Sequence, residues 1–497
     1  MSVSKTIMVL AMTGGIFVSA DWAFAQFGVP ISDPAPLNTD APTESRNDIE
    51  PHITTDGSGN WLAVWAGNEL PVNEYDIFVA HSMDNGATWT APAPLNTNAA
   101  EDEGFDFAPR IATDGSGNWV AVWHSDDPLG DPRAADIDIL VAHSTNQGAT
   151  WSNPLSLNSN ASIDIGPDGF PSIATDGSSN WLVVWTSFDD LAGTIGIDGD
   201  ILAASSTNNG ATWSDLVLLN TNAATDGDFD DDQKPHVATD GLGNWVAVWQ
   251  SNTTLGGTIG HDDDILVARS TDKGESWTAP APLNTNAATD SGNDGNSHIA
   301  TDGAGNWVVV WQSNNTFDGT IGFDRDILVA RSTDNGATWT DPAPLNTNAA
   351  TDGNFGVDDE VPQIATDGWG NWVATWTTSN DLGGTIGTDP DILVARSTDN
   401  GATWTDPVPL NNNAATDSGG DFDSRLATDG AGNWVVVWTS SDDLGGTIGG
   451  DPDILVARFV LEPEAIPTVS EWGLLAITLL LLGAGTYVIS KRRRSAA

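Results

Sequence analysis

Two series of aspartates recur at fixed places in the chain, and carboxylates at that density are ligands for a hard divalent cation. One is an Asp-x-Asp pair ahead of an apolar run: Asp136 and Asp138, Asp198 and Asp200, Asp262 and Asp264, Asp324 and Asp326, Asp389 and Asp391, Asp451 and Asp453, with Glu74 and Asp76 in the first copy. The other is Asp48, Asp106, Asp168, Asp232, Asp294, Asp359 and Asp421, each four residues ahead of a position that changes between copies. Oxygen donors of this kind suit Ca2+, with Asp198, Asp200, Asp262, Asp264, Asp389 and Asp391 as candidate ligands, because crowded carboxylates repel when no cation is present. Aspartate also caps solvated turns, so a purely structural reading stands beside the first. The changing position is held in order by His52, Arg110, Ser172, His236, His298, Gln363 and Arg425. Side chains that repeat serve the unit, whereas side chains that vary at one place are free to choose a ligand. Arg46 and Arg133 are further cations nearby, and with Arg110 and Arg425 they offer guanidinium forks to a carboxylate.

The element that must position these residues is a repeat. Trp61, Trp119, Trp181, Trp245, Trp307, Trp372 and Trp434 each open the same five-residue run, at spacings of 58 to 65. Each copy reads as four short strands: an Ile-Ala-Thr segment, the Trp-x-x-x-Trp run after an Asp-Gly-x-Gly-Asn turn, an Asp-Ile-Leu-Val-Ala segment, and a Pro-Leu-Asn segment. Four antiparallel strands in about sixty residues make one propeller blade. The fold class is therefore all-β, a seven-bladed propeller over residues 26–461. Its seventh copy lacks a fourth strand, and Ser32 to Asn38 reads like Thr340 to Asn346, so the amino-terminal strand is expected to close the ring. The first strand of a blade is innermost, which places the seven changing residues around the mouth of the central channel. Blades 7, 1 and 2 then gather Arg425, Arg46, Arg110 and Arg133 on one sector. Of 23 tryptophans, the repeat accounts for all but Trp22, Trp369 and Trp472, which argues against a tryptophan-lined glycan groove.

Between third and fourth strands stands Ser-Thr-Asp-Asn-Gly-Ala-Thr-Trp, whole at Ser332 to Trp339 and Ser397 to Trp404, with variants from Ser82, Ser144, Ser206 and Ser270. It resembles the Asp box, the bacterial-neuraminidase repeat of the sialidase superfamily. The resemblance implies a propeller, in which the Asp oxygen caps the hairpin turn, the Gly takes φ > 0 and the Trp packs between sheets. It also implies a second function beside glycan or protein binding, sialoside hydrolysis, with Tyr75 as nucleophile and Glu74 as its assistant. The chain departs from that family, because its only other tyrosine, Tyr487, lies in an apolar tail, the early Phe-Arg-Ile-Pro motif survives as Arg110-Ile111, and sialidases have six blades. A non-catalytic module binding a glycan or a surface protein is the reading these departures favour.

Lys5, an apolar stretch to Val18 and Ala23-Phe24-Ala25 follow the grammar of a secretory signal peptide covering residues 1–25. At the other end Ile466-Pro467-Thr468-Val469 precedes an apolar run from Gly473 to Ser490 and the cluster Lys491-Arg492-Arg493-Arg494. Residues 466–494 are similar to the IPTL-type carboxyl-terminal sorting signal of Gram-negative bacteria, which implies a transmembrane helix, an exosortase-like membrane protease as partner, and a protein of the cell envelope or surface, anchored or released. The body between keeps 11 basic and 67 acidic residues, about −56 in charge. Such a field excludes nucleic acid as a partner and favours divalent cations around a monomeric disc. Without cysteine, stability rests on burial.

Overall fold

The computed structural model describes residues 29–461 apart from 44, 70–73, 101–103, 130–135, 162–165, 228–229 and 353–356. Arg133, the leader and the carboxyl-terminal tail with its expected membrane helix lie outside these residues. Among the described residues no helix is long and apolar enough to cross a membrane.

The described residues form seven four-stranded antiparallel sheets. The innermost strands are Asp48–Thr55, Asp106–Thr113, Asp168–Thr175, Asp232–Thr239, Asp294–Thr301, Asp359–Thr366 and Asp421–Thr428, in blades 1 to 7. Each touches its neighbours, and the first meets the last, so the ring is closed. The outermost strand of blade 7 is Ala35–Pro36, with Ala35 opposite Val456 and Pro36 opposite Leu455.

Period-two alternation in the Trp-x-x-x-Trp strand explains how blades stack. In blade 3, Trp181, Val183 and Trp185 pack on Val120 and Val122 of blade 2, while Leu182 and Val184 turn to Trp245, Ala247 and Trp249 of blade 4. A large face therefore meets a smaller one at every seam, and both tryptophans of each run are fully buried. The Asp box supports this packing. Asp334 Oδ1 accepts the Thr338 N–H at 2.9 Å, and Ser332 Oγ accepts the Gly336 N–H at 2.9 Å. Gly336 has φ +73°, and a Cβ there would come within 2.7 Å of Val246 in the preceding blade, so the turn needs glycine for conformation and for space.

The asparagine of the Pro-Leu-Asn segment ties three strands together. Asn284 Oδ1 accepts the Ile265 N–H at 3.2 Å, while its Nδ2 donates to Asp264 at 2.6 Å and to Asp294 of the next blade at 2.9 Å. Asn38 makes the same bonds to Asp453 and Asp48, so the amino-terminal strand closes the disc through side chains as well as backbone. The innermost aspartate series is thus structural in part, as the acceptor of an asparagine from the preceding blade.

Candidate functional site

All seven residues of the changing position line one cavity of about 260 Å³ at the channel. The bonds between blades set their orientation. His52, His236 and His298 each accept, at Nδ1, the backbone N–H of Ile111, Ile299 and Ile364 in the next blade, through long contacts of 3.4 to 3.5 Å. Ser172 Oγ accepts the Val237 N–H at 3.2 Å in the same way. A neutral imidazole that accepts at Nδ1 carries its proton at Nε2, so each ring is left with a donor for a ligand. Burial, reinforced by Arg110 and Arg425, holds these histidines neutral, with His236 pushed down to about 3. The His236 and His298 rings lie 3.7 Å apart between centroids.

Arg110 and Arg425 donate Nη1 to the carbonyls of Pro109 and Ser424, at 2.9 and 2.8 Å. Neither makes an ion pair among the described residues, although Glu50 and Asp423 line the same cavity. Burial first, then Arg425, lowers the Arg110 pKa to about 9, which leaves it charged at neutral pH. Both residues are partly buried in the cavity lining. The two guanidinium groups make no ion pair among the described residues, while the carboxylates of Glu50 and Asp423 in the same lining act on both through space and favour their charged forms.

A second ring was missed in the sequence. Pairing slips in every innermost strand, as between Ile49 and His52, and the bulged residue takes a positive φ of 49 to 54° in all seven blades: Glu50, Ala108, Phe170, Lys234, Asn296, Val361 and Asp423. All seven line the cavity. The amides of Glu50, Ala108, Lys234, Asn296 and Val361 are held from the preceding blade, Lys234 N–H by Thr186 Oγ1 at 3.0 Å and Val361 N–H by Gln312 Oε1 at 3.0 Å. Left-handed Phe and Val are costly, so the fold over-determines this geometry and leaves the side-chain type open. The signal was available, because the residue two before the changing position changes as well.

An aromatic row leads to the cavity from blade 1. Tyr75 lies 4.7 Å from Phe107, Phe107 stacks on Phe105 at 6.3 Å and meets His124 at 6.0 Å, and His124 meets Phe170 at 6.3 Å. His124 and Phe170 line the cavity, whereas Tyr75 and Glu74 do not.

Arg46 is a correction. Its guanidinium bonds Asp40 at 2.8 Å and Asp48 at 3.1 Å and covers the Phe78 ring, away from the cavity lining. Gly67 stands opposite Asp48, where the other blades have a Ser or Thr whose hydroxyl can bond the equivalent aspartate, so no hydroxyl competes with the guanidinium for that carboxylate.

The six aspartates expected to bind calcium fall in three clusters, with third members that sequence reasoning missed: Asp198, Asp200 and Asp226; Asp262, Asp264 and Asp290; Asp389, Asp391 and Asp417. A fourth cluster is Asp324, Asp326 and Asp352. Burial pushes Asp200, Asp264, Asp326 and Asp391 up to about 7. These clusters could hold a metal ion.

Fold and site define a closed seven-bladed β-propeller whose variable side chains converge at its channel. No family model matches the chain, and no curated protein matches it. Among solved structures it is similar to a protein of unknown function from Dyadobacter fermentans, at 12% identity and TM-score 0.48, covering 88% of this chain and 100% of that one. It is also similar to the Hadza microbial sialidase Hz136, at 16% identity and TM-score 0.45 over 80% and 76% of the two chains. An α-L-arabinofuranosidase of Fusarium graminearum matches at 14% identity and TM-score 0.46, over 76% and 98%. At such scores the likeness is one of general fold and carries no activity across.

Proposed function

We propose that this protein is an exported, non-catalytic glycan-binding propeller of a Gram-negative cell envelope, and that its ligand is an acidic glycan seated at the channel mouth. The observation that carries this reading is the aromatic row from Tyr75 to Phe170 ending at a cavity with two guanidinium groups that make no ion pair among the described residues. Aromatic faces accept the apolar faces of sugar rings, and guanidinium forks accept a carboxylate or sulfate. Tyr75 then serves as a stacking surface. The three imidazole Nε2–H groups and the Ser172 hydroxyl add neutral donors for sugar hydroxyls. In the same reading Ca2+ is the ion of the aspartate clusters, since every donor there is a hard oxygen. Residues 1–25 direct export, and the IPTL-like tail is read by an exosortase-like protease that anchors or releases the disc.

A glycan array read beside a fluorogenic sialoside assay tests the proposal. Binding of acidic glycans without turnover, weakened by Arg110→Ala or Arg425→Ala, is the expected result. Sialoside turnover abolished by Tyr75→Phe would replace the binding module with a hydrolase.

A further inference from the structure

We infer that blades 3 to 6 carry four equivalent divalent-cation sites, one at each seam with the following blade, and that each ion clamps the seam through a third carboxylate supplied by the connection between blades. This rests on the calcium reading above and extends it to new ligands, a count and a mechanical role. The third carboxylates are Asp226, Asp290, Asp352 and Asp417, each lying after the outermost strand of its own blade and before the innermost strand of the next.

The spacing fits one ion. In each cluster the three ligand oxygens lie within 4.8 Å of one another. Two ligands of one calcium at roughly 2.4 Å each can be no farther apart than about that distance.

Unsatisfied oxygens provide an independent sign of a ligand. Asp264, Asp326 and Asp391 are fully buried; one oxygen of each accepts from Asn284, Asn346 or Asn411, and the other, Oδ2, has no hydrogen-bond partner. The same three seams leave Asp262 Oδ2 and Asp290 Oδ1, Asp324 Oδ1 and Asp352 Oδ1, and Asp389 Oδ2 and Asp417 Oδ1 buried without partners, so each triad contributes one such oxygen per member. None of these nine carboxylates has a basic partner among the described residues. The buried amide oxygens of Asn286, Asn348 and Asn413, also without partners, lie on the same connections. Buried anionic oxygen with neither donor nor cation is costly, and one divalent ion per seam removes the cost.

At the seam between blades 7 and 1 a cation is supplied covalently. There the Arg46 guanidinium bonds Asp40, on the connection between blades, and Asp48, on the innermost strand. The ion at the other seams would do comparable work, joining the third strand to the connection, while Asn220, Asn284 or Asn346 carries the tie to the next blade.

Calorimetric titration of the purified, chelator-stripped protein with CaCl2 is the test, with hydrogen exchange as a second readout. At least four ions should bind per chain. Asp290→Asn and Asp352→Asn, which keep side-chain shape and remove charge, should each lower the count by one, and together by two. Calcium should slow amide exchange in Asp232–Thr239, Asp294–Thr301, Asp359–Thr366 and Asp421–Thr428, and Asp290→Asn should abolish the slowing in Asp294–Thr301 alone. A count that both substitutions leave unchanged overturns the seam assignment while calcium binding stands. No bound calcium overturns the calcium reading with it. Should the variants fail to fold, equal exchange of those four strands in calcium and in EDTA overturns the clamp.

Discussion

The channel mouth and the seams are built from the same seven repeats and show opposite chemistry. At the mouth the backbone is invariant, down to a left-handed bulge in every blade, while the side chains run through Glu, Ala, Phe, Lys, Asn, Val and Asp. At the seams the side chains are nearly invariant, with the same asparagine holding the same two aspartates. Geometry enforced by hydrogen bonds from the neighbouring blade releases a position from side-chain constraint. A position whose side chain makes the bond cannot vary. Side-chain variation therefore gathers at the mouth, and cohesion at the seams.

This contrast is sharpened most by breaking a seam. Asn284→Ala removes the partner of the Ile265 N–H and of two buried carboxylates, Asp264 and Asp294, and should cost roughly 3–5 kcal/mol in denaturant unfolding. A loss no larger than that of a surface substitution would show that the asparagines do not hold the seams. Calcium comes next: at a hundredfold excess over Kd one occupied site adds about 2.7 kcal/mol, so EDTA should lower the melting temperature clearly, and identical melts would contradict ion binding. Two glycines then separate conformation from packing. Gly336→Ala meets both a φ of +73° and Val246 at 2.7 Å, whereas Gly383→Ala meets a φ of +70° in open space. The first should cost roughly 1–3 kcal/mol more than the second in thermal unfolding, and equal costs would mean that the Asp-box glycine does not pack on the neighbouring blade.

The smallest effect belongs to the mouth. His236 is held to about 3, mainly by burial, so between that value and its unfolded pKa near 6.5 the unfolded chain binds more protons. Its contribution to stability is complete above the unfolded value and is lost as pH falls. The stability difference between the parent and His236→Gln should shrink by roughly 1 kcal/mol from pH 7 to 5, a figure discounted because the residue is only partly buried in the cavity lining. A difference independent of pH would place that imidazole in solvent.

Periodicity made the blades, their number and the closing strand legible in the sequence, and the one variable place in the repeat led to the channel ring. The bulge was hidden because no glycine marks it: Phe170 and Val361 are poor left-handed residues, and the bond that holds the Val361 amide comes from the preceding blade. Asp226, Asp290, Asp352 and Asp417 escaped notice because they lie about 26 residues from their partners, in segments that read as turn caps. Arg46 was misplaced for a local reason, the absence of a side chain at Gly67, which no count of charges reveals.

The central claim is that Arg110 and Arg425 seat an anionic group of a glycan at the channel mouth. Its most direct test is calorimetric titration of the acidic glycan that binds best on the array against the parent and Arg110→Gln/Arg425→Gln, with calcium present throughout. Buried charge-assisted bonds of roughly 1.5–3 kcal/mol each imply at least a tenfold loss of affinity in the double variant, with its melting temperature retained. Equal affinity in the two proteins would contradict the account and move the site away from the channel.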